Sequence, residues 1–198
     1  GGADDIFLAY PQVGKVKIKR AIALAQKMKR LILAVDSLEC ALPLNEAAKE
    51  AGICVEVRME VDTGAKRTGV AREKAVWLAK ELVKLPNLKL TGIYTFKSLV
   101  YQDEPTQDKV IAGKEEGELM ERIAGDIREA GIELEDISAG STPTGIEVAK
   151  TGKVTEIRPG TYIFKDYMLC MEGAAAFDEI AVRYYATVVS VPCKEYAV

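Results

Sequence analysis

The sequence predicts an α/β protein, and among α/β architectures a (β/α)8 barrel of the TIM type with about six βα units present and the N-terminal units missing. Three observations lead there. Short apolar runs alternate with segments of helical period along the 198 residues, which is the pattern of parallel βαβ units and leaves a barrel or an open doubly wound sheet. Polar, glycine-containing turns close several of these runs at the ends where barrels build their sites, and no G-x-G-x-x-G follows the first run, so turn chemistry favours the barrel. Six strands are fewer than the usual eight. That deficit agrees with a chain that starts at Gly1 without Met and stops at Val198 just after a strand-like run, so both ends are expected to be cuts.

In chain order, IFLAY at residues 6–10 reads as a strand buried on both faces, closed by Pro11 and Gly14. Ile18, Ile22 and Ala25 then recur at helical spacing. Residues 31–35 form the second strand, and Asp36-Ser37 offers a cap for a helix carrying Leu44, Ala48 and Ala51, which Gly52 ends. Residues 55–70, VEVRMEVDTGAKRTGV, supply the third strand, a turn at Asp62-Thr63-Gly64, a basic pair and a second glycine. Its helix is marked by Ala75, Leu78, Leu82 and Leu85 and stopped by Pro86. Residues 88–96 are the fourth strand, followed by a long helix with Met120, Ile123, Ile127 and Ala130 on one face and Gly131 as its C-terminal cap. Residues 136–140 make a short fifth strand, residues 157–164 a sixth interrupted by Pro159-Gly160, and residues 181–191 a last β-rich run.

Composition narrows the function. A hydrophobic content of 48% supports a substantial core. The 27 basic residues are interleaved with 30 acidic ones for a net charge of -3, an ordinary solvated surface with no nucleic-acid footprint. Cys40, Cys54, Cys170 and Cys193 are scattered without a C-x-x-C pair, so neither a zinc knuckle nor a disulfide framework is suggested and a reducing, cytoplasmic setting is expected. No secretory leader and no membrane-crossing apolar run is read. Histidine is absent, which removes the commonest general base and the commonest metal ligand. Acid–base chemistry here falls to Lys, Tyr, Cys or carboxylates.

Four segments can carry chemistry. In DISAGSTPTG, residues 136–145, a strand runs into small hydroxyl and glycine residues at a helix start, where exposed amides with the Ser141 and Thr142 hydroxyls would hold a phosphate; the same residues equally describe a capped turn. In EIRPGTY, residues 156–162, Gly160 permits close backbone approach and Arg158 offers a fixed charge, or the segment is a proline-glycine bulge. In the third segment, at residues 55–70, Arg67 can reach inward from its turn, or Lys66 and Arg67 are two solvated cations. In YTFKS, residues 94–98, Lys97 stands at a strand end, as a Schiff-base nucleophile or an ordinary surface lysine.

Together these segments resemble the fold-type III pyridoxal-phosphate enzymes, the alanine-racemase-like barrels, and within them the D-threonine aldolase and D-serine dehydratase branch. VDTGAKRTGV is similar to that family's VDxGxxRxGV, LTGIYTFKSLVY to its GIYTHxGHSY, DISAGSTPT to its VSxGSTPT, and EIRPGTYIFKD to its ELxPGSYVFxD. The resemblance implies a barrel over residues 1–176 carrying pyridoxal 5'-phosphate at its mouth, and the start of a C-terminal β domain at residues 177–198. It also implies a homodimer and a small amino-acid substrate. By the same mapping Ser141, Thr142, Gly160 and Thr161 fall at phosphate-contacting positions with Tyr162 beside them. Arg67 falls near the cofactor's phenolic oxygen, and Arg158 where alanine racemases set an arginine against the pyridine nitrogen. An arginine there stays protonated and leaves the ring a poorer electron sink, which favours racemisation or retro-aldol cleavage.

The departures are specific. The cofactor-binding lysine of the family belongs upstream of Gly1, and its metal-binding histidine beyond Val198, so any divalent metal is expected outside this segment. Both histidines of GIYTHxGHSY are replaced, by Phe96 and Leu99, and Ser98 replaces a glycine, while Tyr101 remains. The expected activity is that of an aldolase- or dehydratase-like lyase or an amino-acid racemase, with the segment alone inactive. The alternatives are a diverged, non-catalytic cofactor-binding homologue and a barrel enzyme acting on a sugar phosphate.

Overall fold

A computed structural model describes residues 2–197. Five parallel strands follow one another across a single sheet: β1 (Asp5–Pro11), β2 (Arg30–Val35), β3 (Val55–Asp62), β5 (Leu88–Tyr94) and β8 (Asp136–Ser138). The short β4 (Val70–Ala71) pairs with the end of β3, and β6 (Val100–Tyr101) with β7 (Glu104–Pro105) forms a separate hairpin. Helices α1 (Lys15–Ala25), α2 (Leu38–Glu50), α3 (Ala75–Leu82), α4 (Lys109–Glu129) and α5 (Gly145–Lys150) connect or follow the strands. Neighbours in sequence are neighbours in space throughout, so the sheet is wound in one direction, as a barrel requires and a doubly wound sheet does not.

The sheet is also curled. Phe7 on β1 and Tyr94 on β5 are separated by two intervening strands, which in a flat sheet would hold them roughly 14 Å apart. Their ring centroids lie 4.9 Å apart, edge to face. One sheet face carries Leu31, Leu33, Val35, Val55, Val57, Met59, Val61 and Ile93 into the helical layer, where they meet Ile18, Leu44, Leu78 and Met120. The concave face carries Phe7, Arg58, Glu60 and Tyr94 instead, and it is there that the charges of β3 are buried.

The helix signals act as expected from their chemistry. Ser37 Oγ accepts from the Cys40 amide at 3.3 Å and caps α2, Asp108 caps α4, and Gly52 and Gly131 leave α2 and α4 at positive φ. The sixth strand is different: residues 157–164 form no strand, and only an isolated parallel bridge between Ser138 and Glu156 precedes them. Pro159 brings no amide to a ladder, and a turn with the Lys165 amide donating to Thr161 O at 2.7 Å closes the run.

The chain divides after Gly160 into two compact units. The second holds α6 (Tyr167–Met171), capped by Asp166, and an ion pair between Lys165 and Glu179. The β-rich run at residues 181–191 is not a strand. Tyr184 and Tyr185 are fully exposed, and a segment with β propensity needs a paired neighbour to become a strand. Among the described residues the four cysteines are free, and no helix is long and apolar enough to cross a membrane.

Gly92 is the tightest point of the sheet. A Cβ there would lie 2.3 Å from Asp136 O and 2.8 Å from Asp136 Cβ, with backbone atoms that have no other place to go. Gly92→Ala is therefore expected to lower stability by about 1–3 kcal/mol, the range for overpacking. A urea midpoint equal to that of the unsubstituted protein would show that β5 and β8 are not this close.

Candidate functional site

Because the strands are parallel, their C-terminal ends share one rim. After β3, Asp62 Oδ1 accepts from the amides of Gly64 at 2.9 Å and Lys66 at 3.0 Å, closing the turn. The loop then folds back onto its own strand at Gly69, whose φ is +105° and whose added Cβ would stand 2.6 Å from Asp62 N. Only glycine fits that approach. The path delivers the exposed Arg67 guanidinium to 4.2 Å from the centroid of Phe96. Beneath it, Thr95 Oγ1 donates to Val61 O at 2.7 Å and stands 2.6 Å from Thr63 Oγ1, locking the ends of β3 and β5 together.

Arg158 enters the same rim from the segment beyond Glu156. Its Nη1 donates to Ser138 Oγ and its Nη2 to Thr95 O, its guanidinium lies 5.2 Å from the Tyr94 ring centroid, and its amide donates to Gly140 O at 3.1 Å. Burial pulls its pKa down, against the opposing pull of Glu156 and Glu116; an arginine so placed still stays charged. Tyr94 Oη donates to Glu60 Oε2 at 2.8 Å, and Thr68 Oγ1 donates to Glu60 Oε1 at 2.8 Å. Burial and the Glu60 carboxylate push the Tyr94 phenol far up, so it serves as a fixed donor.

The Ser141–Thr144 turn is tied from behind. Gly140, at φ +91°, donates its amide to Glu116 Oε1 at 3.0 Å. Thr144 Oγ1 donates to Glu116 Oε2 at 3.0 Å, accepts from the Ser141 amide at 3.1 Å, and lies 3.0 Å from Ser141 Oγ. The amides of Gly140 and Ser141, just before the helix start, are thus engaged within the turn. The hydroxyl and carboxylate of Thr144 and Glu116 reach them first.

Arg158 thus meets Thr95 and Gly140, the chain neighbours of Phe96, on which Arg67 lies, and of Ser141, and a Cβ added at Gly160 would meet nothing within 4 Å. Tyr101 lies apart from these on the hairpin, where its hydroxyl accepts from Gln102 at 3.3 Å. Thr142 is half-buried in the turn; Thr161 and the exposed Tyr162 begin the second unit. Lys97 is almost fully buried, with Nζ donating to Val100 O at 2.8 Å and paired with Glu115. That arrangement anchors the hairpin to α4. Ser98 has φ +59°, a left-handed backbone that explains the glycine which the resembling motif places there. Among the described residues no group of three His, Cys, Asp or Glu side chains converges to hold a metal.

Glu60, Thr95, Ser138 and Glu116 are absent from the sequence-based site. A signal for Glu60 exists in the strict alternation V-E-V-R-M-E-V-D at residues 55–62, in which the polar positions face the barrel interior. Glu116 shares a helical face with Met120, Ile123 and Ile127, and a carboxylate on an apolar face signals a buried partner.

The alanine racemase N-terminal domain family matches residues 12–168. The chain is 29% identical over 191 residues to D-threo-3-hydroxyaspartate dehydratase of Delftia sp. (strain HT23), covering 95% of this chain and 50% of that protein. To D-threonine aldolase of Arthrobacter sp it is 26% identical, covering 83% and 44%. The solved Delftia dehydratase superposes with a TM-score of 0.79 at 27% identity, over 91% of this chain and 48% of that one. The chain spans about half the length of the curated relatives it matches.

Proposed function

The chain belongs to the alanine racemase N-terminal domain family, and on that premise we propose that it forms the cofactor-binding rim of a pyridoxal-phosphate enzyme. The substrate class is a small amino acid bearing a β-hydroxyl, cleaved or eliminated by the lyase activity named in the dehydratase and aldolase relatives. Racemisation is the neighbouring activity.

The observation that carries this reading is Arg158, held at the common rim of β5 and β8 by Thr95 O and Ser138 Oγ and stacked on Tyr94. The donor set fits the cofactor. A phosphate dianion, a phenolate oxygen and a pyridine nitrogen all accept, and the rim offers two guanidinium groups, the Ser141 and Thr142 hydroxyls and the uncrowded backbone at Gly160. Bound there, the cofactor supplies an electron sink for charge developing at the substrate Cα.

The residues of the chain bind and orient. Two of the five guanidinium donors of Arg158 are spent on the scaffold, which fixes the plane in which the others point. Arg67 is held by the Phe96 face and stays solvated on the other side, so it meets an anionic oxygen without losing a hydrogen bond of its own. Glu60, holding Tyr94, keeps that ring edge-on to Phe7 and its face to Arg158. The lysine that would hold the cofactor, a divalent metal site, and a partner subunit completing the rim belong to the rest of the protein in this reading.

A second reading, a diverged member that binds the cofactor without turnover, is favoured by Phe96 and Leu99 at both histidine positions and by Lys97 being tied to Glu115. The full-length protein with added pyridoxal phosphate separates the two. A visible absorbance band abolished by borohydride supports the enzyme. A protein that binds the cofactor with no reducible band supports the diverged member, and one that binds none overturns both.

A further inference from the structure

The unit behind the rim is a chain of three groups, Glu116, Thr144 and Ser141, and it contains one titratable proton. Glu116 is fully buried, which α4 and α5 achieve by close approach. Gly113 and Gly117 flank it on the same helical face, and a Cβ at either would come within 2.7 Å of Glu147 or Thr151. The carboxylate is thereby pressed against the turn: Oε1 takes the Gly140 amide, and Oε2 faces Thr144 Oγ1.

Hydrogen-bond inventory then constrains the hydroxyls. Thr144 Oγ1 has one proton and two acceptor sites, one of which the Ser141 amide fills. When Glu116 is ionised, Thr144 gives its proton to Oε2, and its remaining acceptor site faces the Ser141 hydroxyl at 3.0 Å. Ser141 satisfies that site by donating backward, so it shows only lone pairs to a ligand. When Glu116 is protonated, the polarity reverses. Its O–H donates to Thr144, Thr144 donates to Ser141 Oγ, and the Ser141 proton is released for an incoming acceptor. A phosphate group has only acceptors to offer in its dianionic form.

We propose that Glu116 is a positioning residue that sets, through Thr144, the direction in which Ser141 donates, so that the rim binds a phosphate monoester with uptake of a proton by Glu116. The inference rests on the cofactor reading above and adds to it the group that tunes the phosphate contact. Burial raises the carboxyl above its ordinary range, while the Gly140 and Thr144 hydrogen bonds and the charges of Lys97 and Arg158 pull it down. The other charges around it are already paired. Glu115 on its own helix holds Lys97; on α5, Glu147 meets Lys150 at 2.8 Å; on α3, Glu81 meets Lys84 at 2.5 Å; on β8, Asp136 meets Arg58 at 2.9 Å. The hairpin presents Tyr101, whose hydroxyl is held by Gln102. An anion arriving at Ser141 raises the Glu116 pKa further, so binding draws in a proton and affinity falls as pH rises between the free and bound values.

The test uses the full-length protein and pyridoxine 5'-phosphate, which has the ring and phosphate but no aldehyde to react with lysines. Binding is measured by calorimetry in buffers of different ionisation enthalpy between pH 5 and 9. The unsubstituted protein is expected to take up protons, with affinity falling by up to about tenfold per pH unit in the linked range. Glu116→Gln imitates the protonated carboxyl, since its amide donates to Thr144 and its carbonyl accepts from Gly140. It should bind as tightly as the unsubstituted protein does at low pH, with that uptake removed. Ionisation of the ester itself is common to both proteins and cancels. Ser141→Ala, a small change at the other end of the chain of groups, should lose the uptake and bind more weakly.

Equal proton uptake by the unsubstituted protein and Glu116→Gln overturns the role of Glu116 while leaving the cofactor reading intact. Uptake that persists in Ser141→Ala overturns it too, and does not depend on the Gln variant folding. Failure of the unsubstituted protein to bind the probe at any pH overturns both the inference and the cofactor reading.

Discussion

Replacing Arg58 by Met is expected to lower the stability of the protein by about 3–5 kcal/mol, the cost of breaking a buried ion pair. Arg58 is 3% exposed. It spends Nη1 on both oxygens of Glu156, at 2.8 and 3.0 Å, and Nη2 on Asp136 at 2.9 Å, while the guanidinium lies 4.6 Å from the Phe7 ring centroid. One side chain of β3 thus holds β1, β8 and the Glu156 bridge around the concave face. Without it, both carboxylates lose their nearest cation: Asp136 keeps only the more distant Arg30, at 3.8 Å, and Glu156 keeps the Ser138 hydroxyl and the field of Arg158. Against a total of about 5–15 kcal/mol for a typical domain, that is a large share. The network is not ideal as it stands, since Arg58 Nε is buried without a partner. Neutralising all three groups, with Arg58→Met, Asp136→Asn and Glu156→Gln together, should therefore recover most of the loss. Urea unfolding followed by circular dichroism reads both effects; a single-variant loss below about 1 kcal/mol would mean that water reaches these charges.

The same network marks where the sequence could be read and where it could not. Strands and helices were legible because residues such as Leu31, Leu33, Val35, Leu44, Leu78 and Met120 face one shared apolar layer, and one-sided burial writes a period into a sequence. The caps at Ser37 and Gly131 were legible because their chemistry is local. The sixth strand at residues 157–164 was not, since whether a β-rich run pairs depends on a neighbour, and past the bridge at Glu156 the run, with Pro159 in it, pairs with none. In the site, motif order brought out Arg67, Ser141 and Arg158, whereas Glu60, Thr95, Ser138 and Glu116 act through partners 20–63 residues away in several cases, such as Arg158 with Ser138 and Thr95. Such pairings have no local signature. The tie at the Ser141 turn was hidden for a related reason: the acceptor of the Gly140 amide, Glu116, lies 24 residues earlier on another element, although that of the Ser141 amide, Thr144, is local.

Arg158 and Arg67 should separate binding from stability, and the contrast follows from their surroundings. Arg158→Ala removes the donors to Thr95 O and Ser138 Oγ and the cation from the face of Tyr94. Ser138 Oγ keeps its bond to Glu156, but Thr95 O loses its donor in a buried place, which costs about 1–3 kcal/mol of stability. If the remaining donors meet the cofactor ring, affinity for pyridoxine 5'-phosphate falls as well, by about 10- to 150-fold for a hydrogen bond to a charged group worth roughly 1.5–3 kcal/mol. Arg158→Lys keeps the charge and loses the planar fork, so it should recover stability in part and affinity poorly. Arg67 is exposed and its structural contact is the Phe96 face, worth about 0.5–1 kcal/mol at such a site. Arg67→Ala should leave the urea midpoint nearly unchanged while weakening the probe. A fall in stability for Arg158→Ala without a fall in affinity would make Arg158 a strut between β5 and β8. The site would then rest on Arg67 and the Ser141 turn alone, since Arg158 would spend its charge on the scaffold and have none left for a ligand.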